Sequence, residues 1–161
     1  MSRGRLICGI WSALVISGGI CTLALGPMLL FHGCGQTVKV GSLKGITQRT
    51  DVHFPPGTRL IEAKYASVVM SAVLAAKVQM PRDELDAFLT APPFLGHITR
   101  SQRLVDDNYG KSLGLRDWRA EAAMDFVASE ALYRDQAYFV AILADLDEPA
   151  TAVVYLAWEL M

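Results

Sequence analysis

The chain has 161 residues, a formal net charge of −1 and 52% hydrophobic residues. After residue 33 it holds thirteen Lys and Arg against sixteen Asp and Glu, a net charge of −3. This balance argues against a nucleic-acid partner, because phosphate binding needs a concentrated positive surface. The part after residue 33 has the length of one domain.

An uncharged run over residues 6–31 follows Arg3 and Arg5. A transmembrane helix needs about 20 mainly apolar residues, and the run exceeds that length. We therefore predict a single-pass signal anchor at 6–31, after a cytoplasmic head at 1–5, with the lipid bilayer as its partner.

Two cleaved forms of this run are the alternatives. A secretory signal carries an apolar core of about 7–15 residues, which is shorter than the run. A lipoprotein signal would place small residues directly before a lipidated Cys34, where Phe31, His32 and Gly33 stand. The uncleaved anchor is the favoured interpretation.

Basic residues flank the run on both sides and set its orientation only weakly. Arg3 and Arg5 precede it, whereas Lys39 and Lys44 follow it. We favour a cytoplasmic N terminus, because a short head that stays inside need not be translocated. The predicted location is the cell membrane, with the C-terminal domain extracytoplasmic.

Small residues recur at every fourth position of the run, at Gly9, Ala13, Ser17 and Cys21. This spacing lets two membrane helices approach closely, which favours a homodimer, although small residues are also common in single membrane helices. Cys34 alone among the three cysteines would reach water, either as a bridge between two copies or as a free thiol.

A juxtamembrane linker is predicted at 32–50, with at most a short strand at 38–40. Glycines and interspersed polar residues favour this interpretation. The extracytoplasmic domain then spans 51–161. It begins with a turn at 54–58 (FPPGT), in which proline fixes the backbone and glycine permits the reversal.

Two strands are predicted next, at 59–66 and 73–80. In the first strand, Ile61, Ala63 and Tyr65 alternate with polar residues and would share one face. The second strand is nearly continuous in apolar residues, which also fits a core helix.

A helix is predicted at 81–91 and a long surface excursion at 93–115. Pro81 suits a first-turn position, and the acidic residues after it complement the helix dipole. The buried face of this helix would consist of Leu85, Phe88 and Leu89.

The last elements are a helix at 117–132 and a hairpin formed by 138–145 and 151–160. Alanine and glutamate favour the helix, whereas β-branched and aromatic residues favour the two strands. Trp118 and Trp158 are predicted to be core residues. The fold class is therefore α+β: a small antiparallel sheet covered by one or two helices, with the hairpin at its centre.

Candidate sites for chemistry are sparse. His97 with Asp106 and Asp107 would form a general-base pair, but no activated nucleophile accompanies them. Asp51 and His53 are two positions apart, so they would share one face of a strand and could begin a metal or acid–base site. Two ligands alone do not make a metal site.

The acidic residues Asp145, Asp147 and Glu148 lack the glycine-containing spacing of a calcium loop and suit the hairpin turn. We therefore assign no catalytic, cofactor-binding or metal-ligating residues, and we expect no cofactor.

Four segments resemble small, uncharacterised, membrane-anchored bacterial domain proteins. These are 54–58 (FPPGT), 80–89 (MPRDELDAFL), 138–147 (YFVAILADLD) and 153–158 (VVYLAW). The resemblance implies a bacterial cell-envelope setting and no particular activity.

The resulting functional hypothesis is a non-catalytic cell-envelope module that binds a protein partner or a small ligand, or that neutralises a toxin. It depends on the anchor and on the lack of a catalytic motif in the sequence. The alternative is a small membrane-anchored hydrolase that uses the His97 loop.

Overall fold

The computed structural model describes residues 36–68 and 71–160, which form a six-stranded antiparallel sheet and three short α-helices. The strands are β1 (Gln36–Lys39), β2 (Arg59–Val68), β3 (Ser71–Pro81), β4 (Phe126–Tyr133), β5 (Tyr138–Asp145) and β6 (Thr151–Leu160), and the helices are α1 (Leu43–Thr50), α2 (Leu85–Thr90) and α3 (Asp107–Ser112). The predicted α+β class with an antiparallel sheet is confirmed.

The predicted anchor lies outside the described residues, and so does Cys34. Within the described ranges, no helix has the length and apolar character needed to cross a membrane.

The strand order is β1-β2-β3-β6-β5-β4, so two three-stranded meanders meet where β3 pairs with β6. The predicted hairpin is confirmed with both of its boundaries, and its strands lie inside the sheet. Both faces of the sheet are covered, which explains why β5 and β6 are apolar at nearly every position instead of alternating.

Face A of the sheet is the side that carries Leu74, Ile142 and Leu156. Helices α1 and α2 cover it, with Ile46 of α1 and Phe88 of α2 in the same core. The predicted inner face of the second helix is confirmed, because Leu85, Phe88 and Leu89 are all buried.

Face B is the side that carries Ala75, Leu143 and Tyr155, and residues 104–123 cover it. The Trp118 ring meets the Tyr155 ring edge to face, with 5.2 Å between centroids. The Lys77 Nζ donates a hydrogen bond to the Asp117 carbonyl at 2.7 Å, and the Lys64 Nζ donates to the Gly114 carbonyl. The polar residues that interrupt β2 and β3 on this face therefore fasten the covering segment to the sheet.

The region predicted as a linker contains regular structure in its described part. Residues Gln36–Lys39 pair with β2, and Leu43–Thr50 form α1, whose N-cap is Ser42. Ile46 has no exposed surface. The short strand predicted at 38–40 corresponds in part to β1, but the linker predicted over residues 43–50 was wrong. Gly41 and Gly45 indicated a loop, whereas Ser42 caps a helix two turns long.

The helix predicted at 81–91 begins later than expected. Pro81 is the last residue of β3 and pairs with Thr151, and a 3₁₀ helix, Arg82–Glu84, leads into α2. Proline is tolerated at the end of a strand as well as in the first turn of a helix.

The prediction of a helix at 117–132 was wrong. Residues Ala120–Ala122 form one 3₁₀ turn, and residues Phe126–Tyr133 form β4, which pairs with β5 over its whole length. Helix propensity is a weak preference that tertiary pairing overrides.

Two smaller expectations also need correction. The predicted excursion at 93–115 contains α3, which begins at the N-cap Asp106. The strand predicted at 59–66 is confirmed as β2, but a register shift between Leu60 and Glu62 leaves Ile61 outside the regular pairing and 41% exposed.

Candidate functional site

A cleft lies at the end of the sheet where β3 and β5 finish and where β4 and β6 begin. Its volume is about 740 Å³, which falls within the usual range for ligand pockets. We call it the hairpin-end cleft. It is lined by Arg82, Asp83, Leu85, Asp86, Leu89, Ile98, Arg100, Val127, Leu146, Pro149 and Ala150.

Arg82 fixes the shape of this cleft. Its backbone N–H donates to the Ala150 carbonyl at 3.1 Å. Its guanidinium donates to the carbonyls of Leu146 and Glu148. The turn between β5 and β6 is thereby held against the start of α2.

The rim of the hairpin-end cleft carries charges of both signs. Arg82 and Arg100 each place a guanidinium nitrogen 3.7 Å from a carboxylate oxygen of Asp125. Asp83 and Asp86 are the acidic lining residues, and both are exposed. Exposed pairs of this kind contribute little to stability. Because Arg82 is engaged by the turn, Arg100, Asp83 and Asp86 are the rim charges available to orient a ligand.

The floor of the hairpin-end cleft is apolar. Leu85, Leu89, Val127 and Leu146 line it, and each is at most 5% exposed. Ile98 is 46% exposed and projects more surface than these four. Because these four side chains are almost fully buried, the surface that the cleft offers to a partner is mainly polar, and Ile98 is its exposed large apolar side chain.

Asp145 and Asp147 serve the turn, as predicted for them. The Asp147 carboxylate accepts hydrogen bonds from the backbone N–H groups of Asp125 and Met124, and these bonds lower the pKa of Asp147. The Asp147 N–H in turn donates to the Asp145 carboxylate at 3.0 Å. Among the described residues, no three His, Cys, Asp or Glu side chains are grouped so as to hold a metal ion.

His97 is not joined to Asp106 or Asp107 by a hydrogen bond in the described part of the chain. His97 is exposed, and its carbonyl accepts a hydrogen bond from the Ser129 hydroxyl. Asp106 caps α3 by accepting from the Tyr109 N–H at 2.9 Å.

Asp107 is also committed to structural contacts. Burial raises its pKa, but the hydrogen bond from the Glu121 N–H and the contact with Lys111 outweigh burial and leave the pKa below its usual value. The carboxylates that the general-base hypothesis needs therefore serve α3 and its surroundings.

Asp51 and His53 do not lie on a strand, so the predicted shared face is wrong. Asp51 ends α1 in a left-handed conformation with φ of 54°, and its carboxylate pairs with Arg134. His53 is exposed. A short polar side chain tolerates the left-handed region, which explains the presence of Asp51 here.

Trp118 and Trp158 are core residues, as predicted. Trp118 is 1% exposed and Trp158 is 3% exposed. The Trp118 indole donates to the Asp106 carbonyl, and the Trp158 indole donates to the Tyr133 hydroxyl, each at 2.8 Å. Each buried N–H therefore has a partner.

Sequence reasoning missed the charged rim of the hairpin-end cleft. Three separate segments supply Arg82, Arg100 and Asp125, and the spacing of these residues in the sequence matches no known motif. The one available signal was the position of Arg82 directly after Pro81, at the predicted junction of a strand and a helix.

A second groove, of about 380 Å³, lies beside β4. We call it the β4 groove, and it is lined by Pro93, Leu95, His97, Glu130, Ala131, Leu132 and Phe139. Leu95 is 64% exposed and Leu132 is 54% exposed, so its apolar residues remain open to solvent.

Comparison with protein-family models, with curated proteins and with solved structures found no match to this chain.

Proposed function

We propose that this protein is a single-pass membrane protein of the bacterial cell envelope whose domain is a non-catalytic module that binds a protein partner. Residues 6–31 hold it in the bilayer and the domain faces away from the cytoplasm. The uncharged length of that run supports the anchor. The hairpin-end cleft supports the binding role.

The observation that carries the proposal is the composition of that cleft. Its lining includes no Ser, Thr, Cys, Lys or His, which are the usual sources of nucleophiles and general bases apart from carboxylates. It combines the exposed apolar side chain of Ile98 with two arginines and two aspartates. Apolar contacts provide affinity, while charges around them select the partner and its orientation.

The partner that fits this cleft is an exposed protein segment with one apolar side chain between charged residues. The apolar side chain would contact Ile98, the exposed large apolar residue of the lining. Acidic neighbours would face Arg100, and basic neighbours would face Asp83 or Asp86. Arginine is enriched among residues that dominate binding energy at interfaces, which makes Arg100 the principal rim residue.

Photo-crosslinking in intact cells tests this proposal. A photoreactive amino acid replaces Ile98 in one variant and Gln48, an exposed residue of α1, in a matched control. We expect one defined adduct from position 98, none from position 48, and loss of the adduct when Arg100→Glu is added.

Adducts of the same size from both positions, or an adduct from position 98 that Arg100→Glu leaves unchanged, would refute binding at the cleft. Circular dichroism of each purified variant verifies that the fold is retained.

A further inference from the structure

The outer edge of β4 is free along part of its length. β4 is the last strand in the sheet order, and Thr99 pairs with it at Ala128 through two backbone hydrogen bonds of 2.8 Å. The backbone groups of successive residues in an antiparallel strand alternate between its two sides. Those of Glu130 and Leu132 therefore point outward, as those of Ala128 do.

Glu130 and Leu132 have no backbone partner outside β4 and β5 among the described residues. The loop that supplies Thr99 does not pair with them, because the His97 N–H donates to the Phe94 carbonyl at 3.1 Å and the His97 carbonyl accepts from the Ser129 hydroxyl. The β4 groove lies between this loop and the strands β4 and β5.

We propose that the β4 groove binds an extended peptide segment that adds to β4 as a further antiparallel strand. The groove places exposed Leu95 and Leu132 beside two outward-facing backbone donors and two acceptors. Strand addition uses this combination: the main chain provides hydrogen bonds, and pockets for alternate side chains provide selectivity.

The charge and apolar pattern of the groove define the segment. Leu132 and Glu130 project from the same face of β4, beside Phe139 and Ala141 of β5. A segment that runs antiparallel to β4 would place an apolar residue opposite Leu132 and, two positions later, Lys or Arg opposite Glu130. It must then leave the strand, because Thr99 occupies the next pairing position at Ala128.

A second copy of this chain fits the edge less well. The free part of β4 covers only residues 130–133, since Thr99 closes the edge before it and the strand ends at Tyr133. The site is also concave, because the 93–97 loop stands beside the strand. A short extended segment enters such a groove more readily than the edge of another folded sheet does.

Fluorescence anisotropy with the purified full chain tests this inference. The probe is Thr-Thr-Leu-Thr-Lys amide with a fluorescent label at its amino end. The control is the same peptide with N-methyl groups on Leu and Lys, whose N–H groups would face β4. We expect the control to bind about tenfold more weakly, because two backbone hydrogen bonds are lost.

A charge exchange identifies the site. Glu130→Lys should weaken binding of the lysine peptide about threefold and strengthen binding of Thr-Thr-Leu-Thr-Glu amide by a similar factor. Glu148→Lys makes the same change of charge outside the groove and should alter neither. Glu130→Pro should reduce binding as well, because it removes an outward N–H without breaking the pairing with β5.

Three results would overturn the inference: equal binding of the plain and N-methylated peptides, binding unaffected by both Glu130 variants, or no binding of the plain peptide above the control. Self-association of the chain that Glu130→Pro abolishes would assign the edge to a second copy and would overturn it too. These results are independent of the hairpin-end cleft, so the proposed function can fail while this inference stands.

Discussion

Gly110 lies inside α3 against the Trp118 ring. A Cβ atom at this position would come within 2.1 Å of the ring. Gly→Ala in a helix interior normally stabilises by about 1 kcal/mol, but here the added methyl group would collide with a fully buried side chain. We expect Gly110→Ala to lower the free energy of unfolding by about 1–3 kcal/mol, measured by urea denaturation.

Asn108→Ala in the same helix is the matched control. Asn108 is exposed, so the substitution should change stability by less than about 0.7 kcal/mol, in the stabilising direction. If Gly110→Ala stabilised the protein as well, the close packing of α3 against Trp118 would be refuted.

The candidate site shows how far individual residues can be interpreted from sequence. The roles of Asp147 in the turn and of Trp158 in the core were predictable, because each depends on residue type and local position. The association of Arg82 and Arg100 with Asp125 was not, because long side chains from separate segments meet only after the sheet has formed. His97 suggested a general base when only the sequence was considered. In the structure, the carboxylates of Asp106 and Asp107 instead accept hydrogen bonds from the backbone of Tyr109 and Glu121.

At the scale of elements, α1 is part of the core although its sequence resembles a linker. Ile46 is fully buried in the face A core. We expect Ile46→Ala to destabilise the protein by about 2–5 kcal/mol, through lost burial and an unfilled cavity. Chemical denaturation should show this loss, while Gln48→Ala on the exposed side of α1 should stay within about 0.5 kcal/mol. Equal effects of the two variants would contradict the packing of α1.

The prediction of strands was correct where the pattern of apolar residues was strong. It failed where only the pairing with a neighbouring strand determines the secondary structure. The β5–β6 hairpin combines dense apolar residues with a clear turn, so its boundaries followed from sequence. β4 contains Ala128, Glu130 and Ala131, which favour a helix locally. It is a strand because each of its residues has a partner in β5, and a single sequence does not reveal that pairing.

At the scale of the whole molecule, three tyrosines, Tyr109, Tyr133 and Tyr155, make stability depend on alkaline pH, because burial raises the pKa of each. Burial raises the pKa of Tyr133 and of Tyr155 to about 12, against about 10 in an unfolded chain. As pH rises above about 10, the unfolded state releases protons that the folded state keeps. The contribution of Tyr133 and Tyr155 to stability is therefore complete below about pH 10 and is lost progressively towards about pH 12.

Urea denaturation at pH values from about 8 to about 12 measures this loss. Tyr155→Phe should make the decline less steep, because phenylalanine cannot ionise. Identical pH dependence in the two proteins would show that Tyr155 does not contribute. Tyrosinate absorbance at about pH 10 matching that of the unfolded chain would contradict the raised pKa values.

The proposed anchor predicts how the full chain fractionates. About 20 apolar residues in lipid cannot be released by screening charge, so the protein should stay with membranes after washes with concentrated salt or alkaline carbonate. Release of the intact chain by either wash would refute the anchor. Protease added to spheroplasts should digest the domain if it lies outside the cytoplasm.

The junction between β3 and β6 has a consequence for biosynthesis. The paired residues Ala72 and Leu160 are 88 positions apart, so contacts across the middle of the sheet close a long loop and folding is expected to be slow. The partner of β3 is β6, which is synthesised after β1–β5. Until β6 has emerged from the ribosome, β3 is an apolar strand with one unpaired edge. Aggregation during synthesis is therefore expected to begin at this edge of the nascent chain.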